Sequence, residues 1–202
     1  MLSRSNYDIP KAIEQLTSFE ISASFFVPTE NALNKSIIDA HESFRAFLSR
    51  EGLHDFSIQQ QGEKHKREIP ITLFTGGGVF EAKISLYRPE TKKGDPRFWI
   101  TKFAQHGEAW DLWAIWHSKA SGLVAVNCSD DNFQKAQTDQ SSELGSFLAN
   151  ERNANSNPVA SELLSRLVDI NQLGYVSNLR AGDTGVGFTL EHLLGIAANS
   201  RK

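Results

Sequence analysis

With one cysteine, Cys128, among 202 residues, the chain has no internal disulfide to staple its fold. No cluster of metal ligands surrounds that residue, so it reads as a small buried hydrophobe. There is no run of about 18 apolar residues, which excludes a membrane-spanning helix. The opening residues, Met-Leu-Ser-Arg-Ser-Asn-Tyr-Asp, lack an apolar signal core, so a cytoplasmic location is expected. The six histidines (41, 54, 65, 106, 117 and 192) are scattered without zinc spacing, and no Ser-His-Asp or Cys-His arrangement has local context. No metal and no cofactor is therefore indicated. Gly76-Gly77-Gly78 is a turn, because no Lys-Ser/Thr and no helix follow it as a phosphate loop requires. There is no internal repeat or low-complexity tract.

What is present is ordinary in bulk and uneven in distribution. A hydrophobic content of 40% with 10% aromatics suits a folded protein able to bury a core. The net charge of −3 hides a contrast. From Lys64 to Lys102 there are nine basic and four acidic residues, a net of +5, which leaves −8 to the remainder. Concentrated positive charge on an acidic body is an electrostatic footprint for nucleic acid.

In chain order, Pro10–Leu16 is a short amphipathic piece, and Phe19–Val27 reads as extended. Thr29 or Ser36 could cap a helix carrying Ile37, Ile38, His41, Phe44, Phe47 and Leu48 at helical spacing, stopped by Gly52. His41 on that face reads as a core or rim residue. His54–Ile58 reads as a strand with Ile69–Phe74 as its return, and Val79–Tyr87 alternates as the next. Phe98–Phe103 continues the sheet, and Trp110–Trp116 with Leu123–Val126 forms a hairpin turned at residues 119–122. The tryptophans could stack on single strands, but three in one strand point to core filling. Ser129–Thr138 is a polar connection, and Glu143–Leu148 and Val159–Val168 read as helices separated by a linker over residues 153–158. The expected class is mainly β with flanking helices.

Two polar segments interrupt the strands. Pro89 and Pro96 bracket a loop holding Arg88, Glu90, Lys92, Lys93, Asp95 and Arg97, and proline removes the ladder donor, so the loop leaves the sheet. The segment 59–68 holds Gln61, Lys64, His65, Lys66 and Arg67. Arg and Lys match the acceptors of guanine, and a carboxylate matches the amino group of cytosine, so such arms suit the reading of base edges. The plain alternative is a pair of solvated loops.

Catalysis has one candidate pattern. Nucleases of the PD-(D/E)xK type hold a metal with an Asp and a Glu-x-Lys on adjacent strands. Asp55, Glu81 and Lys83 could play those parts, with Glu81 and Lys83 on one face of a strand. Glu-x-Lys is common by chance, however, and Asp55 follows a helix.

The pair of arms, Gln59–Glu68 and Arg88–Arg97, resembles the N-arm and C-arm of the EcoRII N-terminal effector domain. That resemblance implies a B-three-like DNA-binding pseudobarrel, as in plant transcription factors. It implies that Gln61, Lys64, His65, Lys66 and Arg67 on one arm and Arg88, Glu90, Lys92, Lys93, Asp95 and Arg97 on the other bind duplex DNA containing CC(A/T)GG. Arg88, Arg97 and one of the two lysines would read guanine, and Glu90 or Asp95 would accept from cytosine.

The stretch Ala181-Gly-Asp-Thr-Gly-Val-Gly-Phe-Thr-Leu-Glu-His-Leu-Leu-Gly-Ile196 resembles the opening of the MvaI/BcnI restriction endonucleases. Its glycines make a tight turn, and Thr189 would cap a helix with the apolar face Leu190, Leu193 and Leu194. In that family the catalytic residues follow the motif, so the resemblance implies a non-catalytic chain. The nuclease domain, which would need magnesium, is then expected beyond residue 202 as its partner in the same protein. The implied domains are a helical segment packed on the barrel (1–53), the pseudobarrel with C-terminal helices (54–178), and a linker with the start of the nuclease (179–202). A monomer without membrane contact is expected.

Overall fold

Alternating apolar side chains select strands, and seven form among the described residues. They are β1 (Ser24–Phe26), β2 (Ile38–Asp39), β3 (Arg67–Thr75), β4 (Gly78–Tyr87), β5 (Arg97–Ile100), β6 (Trp113–Ser118) and β7 (Gly122–Asn127). They make one sheet in the order β1-β6-β7-β3-β4-β5-β2, in which β3 and β7 run parallel and all other neighbours antiparallel. The computed structural model describes residues 8–196 except Lys92, Asn157 and Asp183. The chain divides into two compact units, 1–155 and 156–202.

The sheet is curled into a half-barrel. Four strands separate β1 from β5, which in a flat sheet would set them roughly 24 Å apart at about 4.8 Å per strand. Yet the Phe26 ring of β1 meets the Phe98 ring of β5 edge to face at 5.3 Å. Phe44, from α3 (Glu42–Arg50), packs on the same Phe98 ring at 4.5 Å and helps fill the inside of the curl. Ile71, Leu73, Ile84, Leu86, Ile100 and Trp113 line that interior without solvent contact.

The outer face buries a second cluster around Phe74, Trp116, Val124 and Val126. Helices α1 (Ile9–Ser18) and α5 (Glu143–Asn155) contribute to it, together with Phe133 of the short helix Asp131–Lys135. Helix α1 starts where Asp8 accepts from the Lys11 amide at 3.0 Å and Pro10 sits in the first turn. Helix α5 is pinned by Glu151, whose buried carboxylate accepts from Trp116 Nε1 (3.0 Å) and Ser118 Oγ (2.6 Å). Trp113 and Trp116 thus fill the two cores from opposite faces of β6, which removes both from any stacking platform. Cys128 is buried as expected, and burial pushes its thiol up to about 12.

Several local expectations are corrected. Thr29 does cap a helix, accepting from Ala32 N at 3.1 Å, but that helix is the short α2 (Glu30–Lys35). Ser36 ends it in the left-handed region instead of starting the next. Ile37 and Ile38 then leave the helical pattern, and Ile38 enters β2. Residues 1–53, expected as a helical segment packed on the barrel, thereby supply both edge strands of the sheet. His54–Ile58 is a turn: Asp55 Oδ1 takes the Ser57 amide at 2.8 Å, and Ile58 is 80% exposed. The polar connection contains the short helix α4 (Asp131–Lys135), and α5 continues through part of the expected linker.

In the second unit, α6 (Pro158–Gln172) and α7 (Gly185–Leu193) flank a loop. Arg166 bonds the Leu194 carbonyl at 2.6 Å and pairs with Glu162 one turn earlier. Thr189 does not cap: α7 begins four residues earlier, and the Thr189 hydroxyl donates to the Gly185 carbonyl and accepts from the Leu179 amide. Among the described residues, no helix is long and apolar enough to cross a membrane.

The curl rests on Phe98, which is 1% exposed. Phe98→Ala is expected to cost about 3–5 kcal/mol in chemical denaturation. A loss below about 1 kcal/mol would mean that the two sheet ends are held together by something else.

Candidate nucleic-acid interface

The start of β3 and the end of β4 lie at the same end of the half-barrel, because Arg67 pairs with Leu86 in the antiparallel register. The segments expected as two arms leave from this end and are bound to each other. The Gly62 amide donates to the Arg88 carbonyl at 2.9 Å. Buried Gln59 sends its side-chain amide to the carbonyls of His65 (2.8 Å) and Leu86 (3.0 Å). They form one composite arm, in which residues 59–66 back the loop 88–96.

Arg88 sits at the centre of this arm. Its Nε donates to the Gly94 carbonyl at 2.7 Å, one terminal nitrogen to the Gln59 carbonyl at 3.1 Å, and the other to the Lys93 carbonyl at 3.5 Å. A guanidinium engaged on three backbone carbonyls acts as a brace. Two glycines permit the close fit. Gly94 has φ +66° and carries the Gln61 side chain where a Cβ would stand. Gly62 has φ +103°, and a Cβ there would meet the Glu90 carboxylate at 2.6 Å.

The remaining expected residues divide by exposure. Lys64, Arg67, Lys93 and Asp95 are exposed at the surface of the arm, and Glu90 is exposed where it covers Gly62. His65 is half-buried and accepts through its carbonyl. Lys66 is exposed and pairs with Glu68 at 3.2 Å. That lysine, with help from Lys83 and Ser85, holds the Glu68 carboxyl below its ordinary range. Lys92 lies outside the described residues.

Arg97 is half-buried at the base of the arm, opposite both Tyr87 on β4 and Asp39 on β2. Its Nε stands 3.6 Å from Asp39 Oδ1. Burial pushes the Tyr87 phenol up, and the Arg97 charge acts against that shift. Beside Arg97 opens a pocket of about 240 Å³ lined by Thr29, Asn31, Lys35, Asp39 and His41. Of these, Thr29 reads from the sequence as a helix cap and His41 as a core or rim residue, although His41 is in fact exposed. Asn31, Lys35 and Asp39 carried no signal, because a two-residue strand has too little alternation to announce itself.

A concavity of about 930 Å³ lies at the other end of β3 and β4, around Gly76 and Gly77. Asp8, Glu108, Asp111 and Asp130 line it with a single lysine, Lys11, a charge balance that repels a polyanion. The residues of the nuclease pattern are not drawn into a metal site. Asp55 lies in the turn described above, where the Ser57 hydroxyl and amide hold its carboxyl low. Glu81 accepts from Thr72 Oγ1 at 3.0 Å, and Lys83 faces Glu68 at 3.8 Å. Among the described residues, no group of three or more His, Cys, Asp or Glu is placed to hold a metal ion.

Residues 164–202 match the model of the MvaI/BcnI restriction endonuclease family. The match covers the C-terminal part of the chain and supports a DNA-related restriction function. No curated protein and no solved structure matches the chain.

Arg88→Ala would leave the carbonyls of Gln59, Lys93 and Gly94 without their shared donor. Amide exchange at Gly62 is expected to quicken by at least about tenfold through local opening, with global stability falling by no more than about 1–3 kcal/mol. Unchanged exchange at Gly62 would show that Arg88 does not hold the arm.

Proposed function

We propose that this chain is a sequence-specific, non-catalytic DNA-binding module of an EcoRII-like, type IIE-like restriction endonuclease. Its first unit is a B-three-like pseudobarrel that recognises CC(A/T)GG in the major groove. The observation that carries the reading is the braced composite arm. It presents Lys64, Lys66, Arg67 and Lys93 to solvent around a rigid centre, with Arg97 at its base. The MvaI/BcnI match at residues 164–202 supports the link to restriction, and the target sequence rests on the resemblance of the arms to the EcoRII effector domain.

On this reading the lysines and Arg67 take backbone phosphates, which set register without specifying sequence. Arg97 supplies the donors for guanine, and Asp95 or Glu90 accepts from cytosine. Arg88 acts one step away, by fixing the carbonyl frame on which those side chains stand. The chain needs no cofactor for binding, and magnesium belongs to the nuclease activity of the wider enzyme.

Arg97→Ala is expected to weaken binding to a CC(A/T)GG duplex by about 1–3 kcal/mol and to relax discrimination at one base pair. Lys93→Ala should instead weaken all duplexes alike and lower the salt slope by about 1. Fluorescence anisotropy over a salt series separates the two. Equal weakening of Arg97→Ala on unrelated DNA would overturn its base-reading role.

A further inference from the structure

We infer that Asp39 is a specificity-determining positioning residue, which holds Arg97 so that its terminal nitrogens face a guanine. This rests on the DNA-binding reading above and names a residue that the arms themselves do not contain. The antiparallel register of β2 with β5 sets Asp39 directly opposite Arg97, and β5 with β4 sets Tyr87 opposite it on the other side. Directly opposed residues of an antiparallel pair share a face, with Cβ atoms about 4.5–5.5 Å apart. Arg97 is therefore the middle member of a row, flanked by a carboxylate and a phenol.

The row leaves Arg97 with few ways to move. Its side chain is 20% exposed, whereas that of Asp39 is 69% exposed. The Nε is buried and makes no hydrogen bond among the described residues, so the carboxylate 3.6 Å away is its neutralising contact. Because the pair is made through Nε, the two terminal nitrogens remain as the fork that matches guanine O6 and N7. The Ala40 amide donates to the Pro96 carbonyl at 2.9 Å and ties the Asp39 strand to the residue before Arg97. A free arginine must lose its rotamer freedom on binding, and one already held loses less.

Asp39 also carries negative charge beside the DNA, so a passive carboxylate and a positioning one predict different outcomes. Full-length wild type, Asp39→Asn and Asp39→Glu are compared for binding to a CC(A/T)GG duplex and to the same duplex with single C·G pairs inverted. If Asp39 positions Arg97, Asp39→Asn binds unrelated DNA at least as tightly as wild type. It loses roughly tenfold or more of the discrimination at one C·G pair, and Asp39→Glu restores part of it. Discrimination unchanged in Asp39→Asn, with affinity raised uniformly, overturns the inference and leaves the DNA-binding reading intact. A wild type that does not discriminate overturns both.

Discussion

The contact of Phe26 on Phe98 closes the curl of the sheet, and the placement of the β1–β2 connection beside the arm follows from it. Without the curl, β1 and β5 would stand on distant parts of one surface. With it, the β1–β2 connection is brought beside the base of the β4–β5 loop. The register then carries the consequence outward. Ile38 pairs with Phe98 in the core, so the next residue, Asp39, must pair with Arg97 on the opposite face. A slip of one residue would bury the ion pair and expose the aromatic ring. The apolar side of β5 and the charged side of the proposed interface are thus two faces of a single register.

Charge is distributed to match. The end of the half-barrel that carries the composite arm gathers the exposed Lys64, Lys66, Arg67 and Lys93, whereas the Asp and Glu side chains lining the groove at the other end outnumber its one lysine. On the proposed reading this polarity orients the approach of a polyanion and keeps the larger groove clear of it, even though the net charge of the chain is negative. The arm is also bonded internally. Arg88 and Gln59 satisfy backbone carbonyls inside it, so the outer cations project from a fixed frame and lose less freedom on binding.

Long alternating segments were legible in the sequence. Val79–Tyr87, Ile69–Phe74 and the hairpin turned at residues 119–122 form the strands expected of them, because each carries enough apolar pattern to identify its face. Short elements were not. Ile37 and Ile38 fit a helical stripe as well as a strand, and only pairing with Phe98 decides between the two. His54–Ile58 looked extended until the Asp55 side chain took the Ser57 amide. The loop 88–96 was visible from its prolines and charges, but its internal hydrogen bonds were not. Composition marks Arg88 and Arg97 as equals, while the fold engages one on carbonyls and leaves the other with a terminal fork.

The most direct test of where DNA sits is amide hydrogen exchange of the whole chain with and without a CC(A/T)GG duplex. Added protection is expected over residues 59–67 and 88–97 and in the β1–β2 connection, with no change around Gly76, Gly77 and residues 104–108. Protection confined to that second region would place the nucleic acid in the acidic groove and contradict the account.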